Sequence, residues 1–296
     1  LLRLRTTIDL SLPGGNLYRP HAAALDVQSG HVFVVGQATL KGQGYILGRV
    51  EAGADSLTNT RPLPGYSSLA VGPGLVFVLS SGEAGTTLLA LDGEDLSEVA
   101  RVSLSDEYAS SAPMVADPGG QYLFLASRNR LEMRDAQSLT LLDQASRDLY
   151  GVNPALALAP ETGTVYLGSE GTLEAFRSTS SDQLQSLWLQ TPPYRIEDLV
   201  VDGVEGDLYA ATSRWEGDTL VKGLFIHDAA WGDQVGTVWD ESAEQRRVEL
   251  LAAQAGRLYL SSVQGNQAYV AILDENGAEL ARYEHARAYG VTMLAD

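Results

Sequence analysis

Tyr18, Tyr66, Tyr108, Tyr150 and Tyr194 recur at intervals of 42 to 48 residues, and Tyr289 falls in step further on; in the one unit without a tyrosine, Arg246 and Arg247 stand instead. A phenol has an apolar body and a hydroxyl that reaches for water, so such a set either wedges between packed elements or lines a ligand site. Three residues past these positions the side chains are mostly polar: His21, Ser111, Asn153, Glu197 and Thr292, with Glu249 near the same place in the arginine unit and Leu69 the exception. Oxygen donors converging on one axis could hold Ca²⁺ or a catalytic divalent metal, and Asn153, Glu197 and Glu249 are the candidate ligands. Strand starts beside a solvated channel would also be polar simply to meet water.

Arginines recur beside the tyrosines, at Arg19, Arg195, Arg247 and Arg287. A guanidinium fork suits a carboxylate or a phosphate, whereas an isolated surface arginine needs no such role. The segment 211 to 222, expected to be the longest inner loop, adds Arg214 and Trp215 on the same face, and an exposed tryptophan is a plausible contact residue. The candidate ligand-binding set is therefore Tyr18, Arg19, His21, Tyr66, Tyr108, Tyr150, Asn153, Tyr194, Arg195, Glu197, Arg214, Trp215, Arg247, Glu249 and Tyr289. No catalytic residue is assigned. The stretch GQGYILG (42 to 48) precedes a strand and offers no helix N-terminus for a phosphate, there is no G-x-S-x-G elbow, and His21, His31, His227 and His285 show no metal-ligand spacing.

The elements that must position these residues repeat. HVFVV, LVFVL, YLFLA, TVYLG, DLYAA and RLYLS each carry an aromatic at the third place, Phe33, Phe77, Phe124, Tyr166, Tyr209 and Tyr259, in steps of 44, 47, 42, 43 and 50 residues. A small apolar strand and a glycine, at Gly30, Gly74, Gly120, Gly163, Gly206 and Gly256, precede each one, and glycine allows the positive φ of a tight reversal. A third strand closes on Asp92, Asp135, Asp228 or Asp274, or on Arg49 or Arg177. A fourth alternates, as in EVARVSL (98 to 104), LQSLWLQ (184 to 190) and AELARYE (278 to 284), which marks one buried and one wet face. Repeats of this length, each with four strands, predict an all-β fold, the blades of a β-propeller. VTMLAD (291 to 296) matches an opening strand and LLRLRTTIDLSL (1 to 12) the end of a unit. The expectation is a single seven-bladed domain over 1 to 296: six complete blades and a composite seventh from both termini, either three-stranded or cut from a longer protein.

This order of glycine turn, aromatic-centred strand, Asp-closed strand and alternating outer strand resembles the YVTN repeat proteins, the YncE-like branch of bacterial β-propellers, over nearly the whole chain. The literal YVTN string is missing. The resemblance implies a rigid binding scaffold, often extracytoplasmic, and the opening on Leu1 instead of Met is compatible with a removed leader or upstream domain.

With 38 acidic against 20 basic residues the net charge is −18, which argues against nucleic acid and anionic lipid. The absence of cysteine excludes disulfides and thiolate sites and fits any redox compartment. No stretch has the roughly 18 to 20 apolar residues that span a bilayer as a helix. The expected function is a module that binds a protein, a peptide or an anionic small molecule at the channel mouth, as a monomer or part of a longer chain, with no cofactor or with Ca²⁺. The alternative is a metal-dependent hydrolase or lactonase, with Asn153, Glu197 and Glu249 as ligands and His21 as base.

Overall fold

The structure, a computed structural model, describes residues 18–26, 28–38, 44–54, 56–105, 112–147, 154–241, 246–264 and 267–285. Both stretches expected to form the composite blade, 1 to 12 and 291 to 296, lie outside the described residues. The rest folds into six antiparallel four-stranded meanders, and no helix occurs among the described residues. The first holds β1 (Tyr18–Leu25), β2 (Val32–Ala38), β3 (Tyr45–Val50) and β4 (Asn59–Leu63), and the second β5 (Tyr66–Gly72), β6 (Leu75–Gly82), β7 (Gly85–Asp92) and β8 (Glu98–Leu104). The third holds β9 (Met114–Ala116), β10 (Tyr122–Ala126), β11 (Arg130–Asp135) and β12 (Leu141–Ser146), and the fourth β13 (Ala155–Ala159), β14 (Thr164–Ser169), β15 (Thr172–Ser178) and β16 (Leu184–Gln190). The fifth holds β17 (Arg195–Asp202), β18 (Asp207–Glu216), β19 (Thr219–Asp228) and β20 (Gln234–Glu241), and the sixth β21 (Arg246–Gln254), β22 (Arg257–Gln264), β23 (Gln267–Asp274) and β24 (Glu279–His285).

First strands adjoin in sequence order, β1 to β5 to β9 to β13 to β17 to β21, so the sheets are blades set around an axis. Each blade has apolar side chains on both faces, which only its neighbours can cover. The buried clusters accordingly draw on adjacent pairs: Phe33 and Leu47 pack with Val76 and Leu91, Phe124 and Met133 with Val165 and Phe176, and Tyr166 and Leu173 with Ile196 and Leu208. The aromatic of the second strand is buried in five blades, while Tyr259 of the sixth is partly exposed.

The repeated turn residues have physical jobs. All six expected glycines take φ between +65° and +79°, where a Cβ would be strained. Asp92, Asp135, Asp228 and Asp274 each accept backbone N–H groups of the turn that follows, from Glu94, Ser138, Ala230 and Asn276 at 2.7 to 2.9 Å. That satisfies donors the turn leaves unpaired. Where arginine replaces the aspartate, Arg49 reaches instead into the next blade, to the Glu94 backbone and carboxylate and to Gly93 O.

Two buried acids interrupt the apolar third strands. Glu132 and Glu174 occupy equivalent places in β11 and β15, and each is almost wholly enclosed. Glu132 pairs with Arg134 at 2.6 Å and Arg130 at 3.1 Å on its own strand. Glu174 takes a bidentate grip from Arg147 of the preceding blade, 2.6 Å on each oxygen, plus the Ser186 hydroxyl at 2.6 Å. Removing one partner of a buried pair leaves an uncompensated charge. Arg147→Ala should therefore destabilise the protein by about 3 kcal/mol in urea unfolding, and adding Glu174→Leu should recover most of the loss.

Tyr166 and Tyr209 give a sharper contrast. They hold the same place in neighbouring blades, yet the Tyr166 hydroxyl donates to Ala229 O at 3.1 Å while the buried Tyr209 hydroxyl has no hydrogen-bond partner among the described residues. An unmet buried hydroxyl costs stability and a met one contributes it. Tyr209→Phe should raise the urea midpoint by the equivalent of about 1 kcal/mol, and Tyr166→Phe should lower it by about as much.

Candidate functional site

In the fifth blade the middle hairpin outgrows its sheet. β18 and β19 run ten residues each and stay paired to the tip, through Arg214 with Val221, Trp215 with Leu220 and Glu216 with Thr219. The expected inner loop at 211 to 222 is thus a β-hairpin, because its residues continue the ladder and Gly217, at φ +63°, turns the chain within two residues. β17 begins only at Arg195, opposite Ser213, so the last three residues of β18 rise beyond it. The chain entering β17 comes over Pro192 and Pro193, and the β14–β15 turn at Glu170 and Gly171 flanks it, with Glu170 bridged to Arg195.

Between this arm, the diproline and that turn lies a cleft of about 620 Å³. Its lining includes Tyr194, Arg195, Glu197, Arg214 and Trp215, five of the residues singled out from the sequence. Trp215 is 71% exposed at the lip, and Leu220 stands across the hairpin from it. The Nε of Arg195 is buried with no hydrogen-bond partner among the described residues, and so is the hydroxyl of Ser169, next to Glu170. Arg214 pairs with Glu216 at 2.8 Å.

Glu197 is the extra residue of a bulge in β17, between Ile196 and Asp198, as His21 is in β1 between Pro20 and Ala22. The bulge turns the Glu197 carboxylate to the long hairpin, where Ser213 donates to it at 2.8 Å and Lys222 forms a close ion pair. Burial works to raise its pKa, but the bonds from Lys222 and Ser213 outweigh that and hold it below the usual carboxylate value. This corrects the sequence alignment: the register places Glu249 level with Asp198, not with Glu197, since Asp198 opposite Ala211 and Glu249 opposite Ser261 both stand two places past the blade aromatic. Asn153 lies outside the described residues, and among those described no group of three His, Asp or Glu is placed to hold a metal.

Asp198, absent from the sequence-derived set, carries the most displaced acidity near the hub. Its oxygens accept from Leu199 N at 2.9 Å and, across to the next blade, from Leu250 N at 2.7 Å. It keeps a little open surface, yet so many atoms crowd the carboxyl that burial, reinforced by Glu249 and Glu197, pushes its pKa up to about 7.

The tyrosines divide between the two readings. Tyr194 is buried as a wedge, stacked on Phe225 at 4.7 Å with its hydroxyl 3.0 Å from His227 Nε2, and burial pushes its pKa up to about 12. Since His227 Nδ1 must donate to Gly232 O, its Nε2 accepts the Tyr194 proton. Tyr66 is exposed on one side and stacks on His21 at 4.3 Å, while His21 Nε2–H donates to Ser67 O of the second blade and Tyr45 meets both rings edge-on. That bond and burial, which lowers its pKa, give His21 a joining role between blades. Tyr18, Arg19 and Arg247 lie on β1 and β21 with only their backbone described, and Tyr108, Tyr150 and Tyr289 lie outside the described residues.

Asp198 sets a pH dependence. A carboxyl whose folded pKa is raised supports the fold below its unfolded pKa, near 4, and that support is lost as pH rises through about 7. His21 and His227, both lowered by burial, act oppositely, their support being present above the unfolded pKa of about 6.5 and lost as pH falls below it through the lower folded value. Comparing Asp198→Asn with the parent cancels the histidines. The melting temperature of the variant minus that of the parent should climb steadily from pH 4 to pH 7 and then level off.

No family model and no curated protein matches the sequence. Similar solved structures exist. BamB from Moraxella catarrhalis superposes with a TM-score of 0.56 at 13% identity, over 94% of this chain and 95% of that one. A functionally unknown protein from Desulfotomaculum acetoxidans gives 0.66 at 10% identity over 97% and 92%, and Kuenenia stuttgartiensis hydrazine synthase gives 0.62 at 13% over 93% and 80%. At such identities the likeness is one of fold, and the chain is a β-propeller.

Proposed function

We propose that this propeller is a binding module, and that its recognition site is the cleft between the fourth blade and the elongated hairpin of the fifth. One observation carries the reading: the hairpin lifts Trp215 and Leu220 to face Pro192, Pro193 and Arg195, so apolar walls and a guanidinium converge on one concavity. Ligand sites combine apolar walls with a small number of polar groups that orient the guest. Arg195 is suited to a carboxylate because its Nε has unspent hydrogen-bonding capacity, while Glu197 is already engaged by Lys222. Membership among YVTN-like propellers, an extracytoplasmic setting, a single domain and a seventh blade completed by both termini belong to the same proposal. The regular turns and the radial order of β1 to β21 support the YVTN-like part of it.

Small carboxylates test the site directly. With tryptophan indoles labelled by ¹⁵N, benzoate and isovalerate at millimolar concentration should move the Trp215 resonance saturably, and Arg195→Gln should weaken that response at least tenfold, whereas sodium chloride at equal ionic strength should not reproduce it. Shifts confined to Trp188, Trp231 and Trp239 would refute the assignment. Melting in 1 mM CaCl₂ and in chelator should give the same midpoint, because a specific channel metal would raise it by mass action.

A further inference from the structure

The open end of the long hairpin indicates what kind of guest the cleft takes. In an antiparallel ladder successive residues point their backbone groups alternately to one side and the other. Glu216 and Thr219 close a two-residue turn and face each other, so Trp215 turns its N–H and C=O away from β19, to the side where β17 would continue. β17 has no residue there: its pairing stops at Arg195 opposite Ser213, and the chain swings off through Tyr194 and Pro193. No described hydrogen bond occupies the backbone of Trp215. The cleft thus contains a missing stretch of strand, bounded by Pro192, Pro193 and the Trp215 indole and underlain by Arg195.

Charge narrows the guest further. The chain carries −18 overall, yet the cleft lining sets Arg195 and Arg214 against Glu170 and Glu197, a local balance of zero. It is a comparatively cationic spot on an acidic molecule, and such spots favour acidic partners and repel fewer of them. Of the four buried polar atoms without a partner among the described residues, two, Arg195 Nε and Ser169 Oγ, sit at this junction. A volume of about 620 Å³ is that of a site for a few residues, not for a folded surface.

We infer that the cleft receives an extended segment of a partner protein, which adds as a short strand in line with β17, exchanges backbone hydrogen bonds with Trp215, lays a proline or branched aliphatic side chain on its indole and presents an acidic side chain to Arg195. This rests on the cleft being the binding site. Strand addition supplies affinity through the main chain and specificity through alternate side chains.

Phage-displayed random heptapeptides panned on the whole protein test it. Enriched sequences should pair Asp or Glu with a nearby Pro, Val, Ile or Leu. A synthetic peptide of the enriched sequence should lose at least tenfold in affinity to Trp215→Ala and to Arg195→Gln, keep most of it to Trp215→Phe, and slow hydrogen exchange at the Trp215 amide. Unchanged circular dichroism and melting of the variants would exclude unfolding as the cause. Enriched sequences without acids, binding that survives Trp215→Ala, or an amide left unprotected would overturn the inference. If benzoate and isovalerate bind while no peptide is enriched, the site stands and the strand-adding guest falls; if neither binds, both fall.

Discussion

Everything in this molecule follows from sheets that are apolar on both faces. A four-stranded meander alone cannot cover Phe77, Leu79, Leu88 and Ala90 on one side and Val76, Val78, Leu89 and Leu91 on the other. Each face finds cover only against the next blade, so the sheets must stack around an axis, and five buried clusters are each shared between two of them. The hydrophobic effect supplies the stacking. Specific polar links then fix the register: Arg147 to Glu174, Tyr166 to the Ala229 carbonyl, Asp202 to the Gly256 amide at 2.8 Å and Asp198 to the Leu250 amide.

That division of labour leaves the ends of the blades free. Turns at one end are held by glycines and by aspartates that accept the turn's own amides, and they serve the fold. At the other end the crossovers and the middle hairpins carry no such common pattern, so the fifth blade can lengthen its hairpin without disturbing a neighbour. The bulge at Glu197 fits the same picture. One inserted residue redirects a carboxylate to Lys222 and Ser213 and so braces the base of the arm.

The blade architecture was legible because packing repeats: the third-place aromatics, the six glycines and the Asp-closed strands all fall where the residues indicated. Five cleft residues were legible too, Tyr194, Arg195 and Glu197 because they mark where the chain enters its first strand, and Arg214 and Trp215 because they fall in the long segment between two strands of the fifth unit. Other features had no periodic signature. The bulge shifted Glu197 by one place relative to Glu249, and single-residue slips are invisible to a count of spacings. Lys222 and Asp198 acquire their importance from partners 25 and 52 residues away, Glu197 and Leu250. The buried acids Glu132 and Glu174 carry no spacing signal within their third strands, and it is their enclosure beside the surrounding arginines that singles them out.

The radial arrangement can be tested most directly with cysteines, since the chain has none of its own. Asp143 on β12 accepts from the amide of Leu184 on β16, across the boundary of the third and fourth blades, at 2.7 Å. In the double variant Asp143→Cys, Leu184→Cys, mild oxidation should form one intramolecular disulfide rapidly and in high yield. A control pairing Asp143→Cys with Val235→Cys, two blades on, should remain reduced or cross-link only between molecules. Equal intramolecular cross-linking by both pairs, or by neither, would contradict blades stacked in sequence order around an axis.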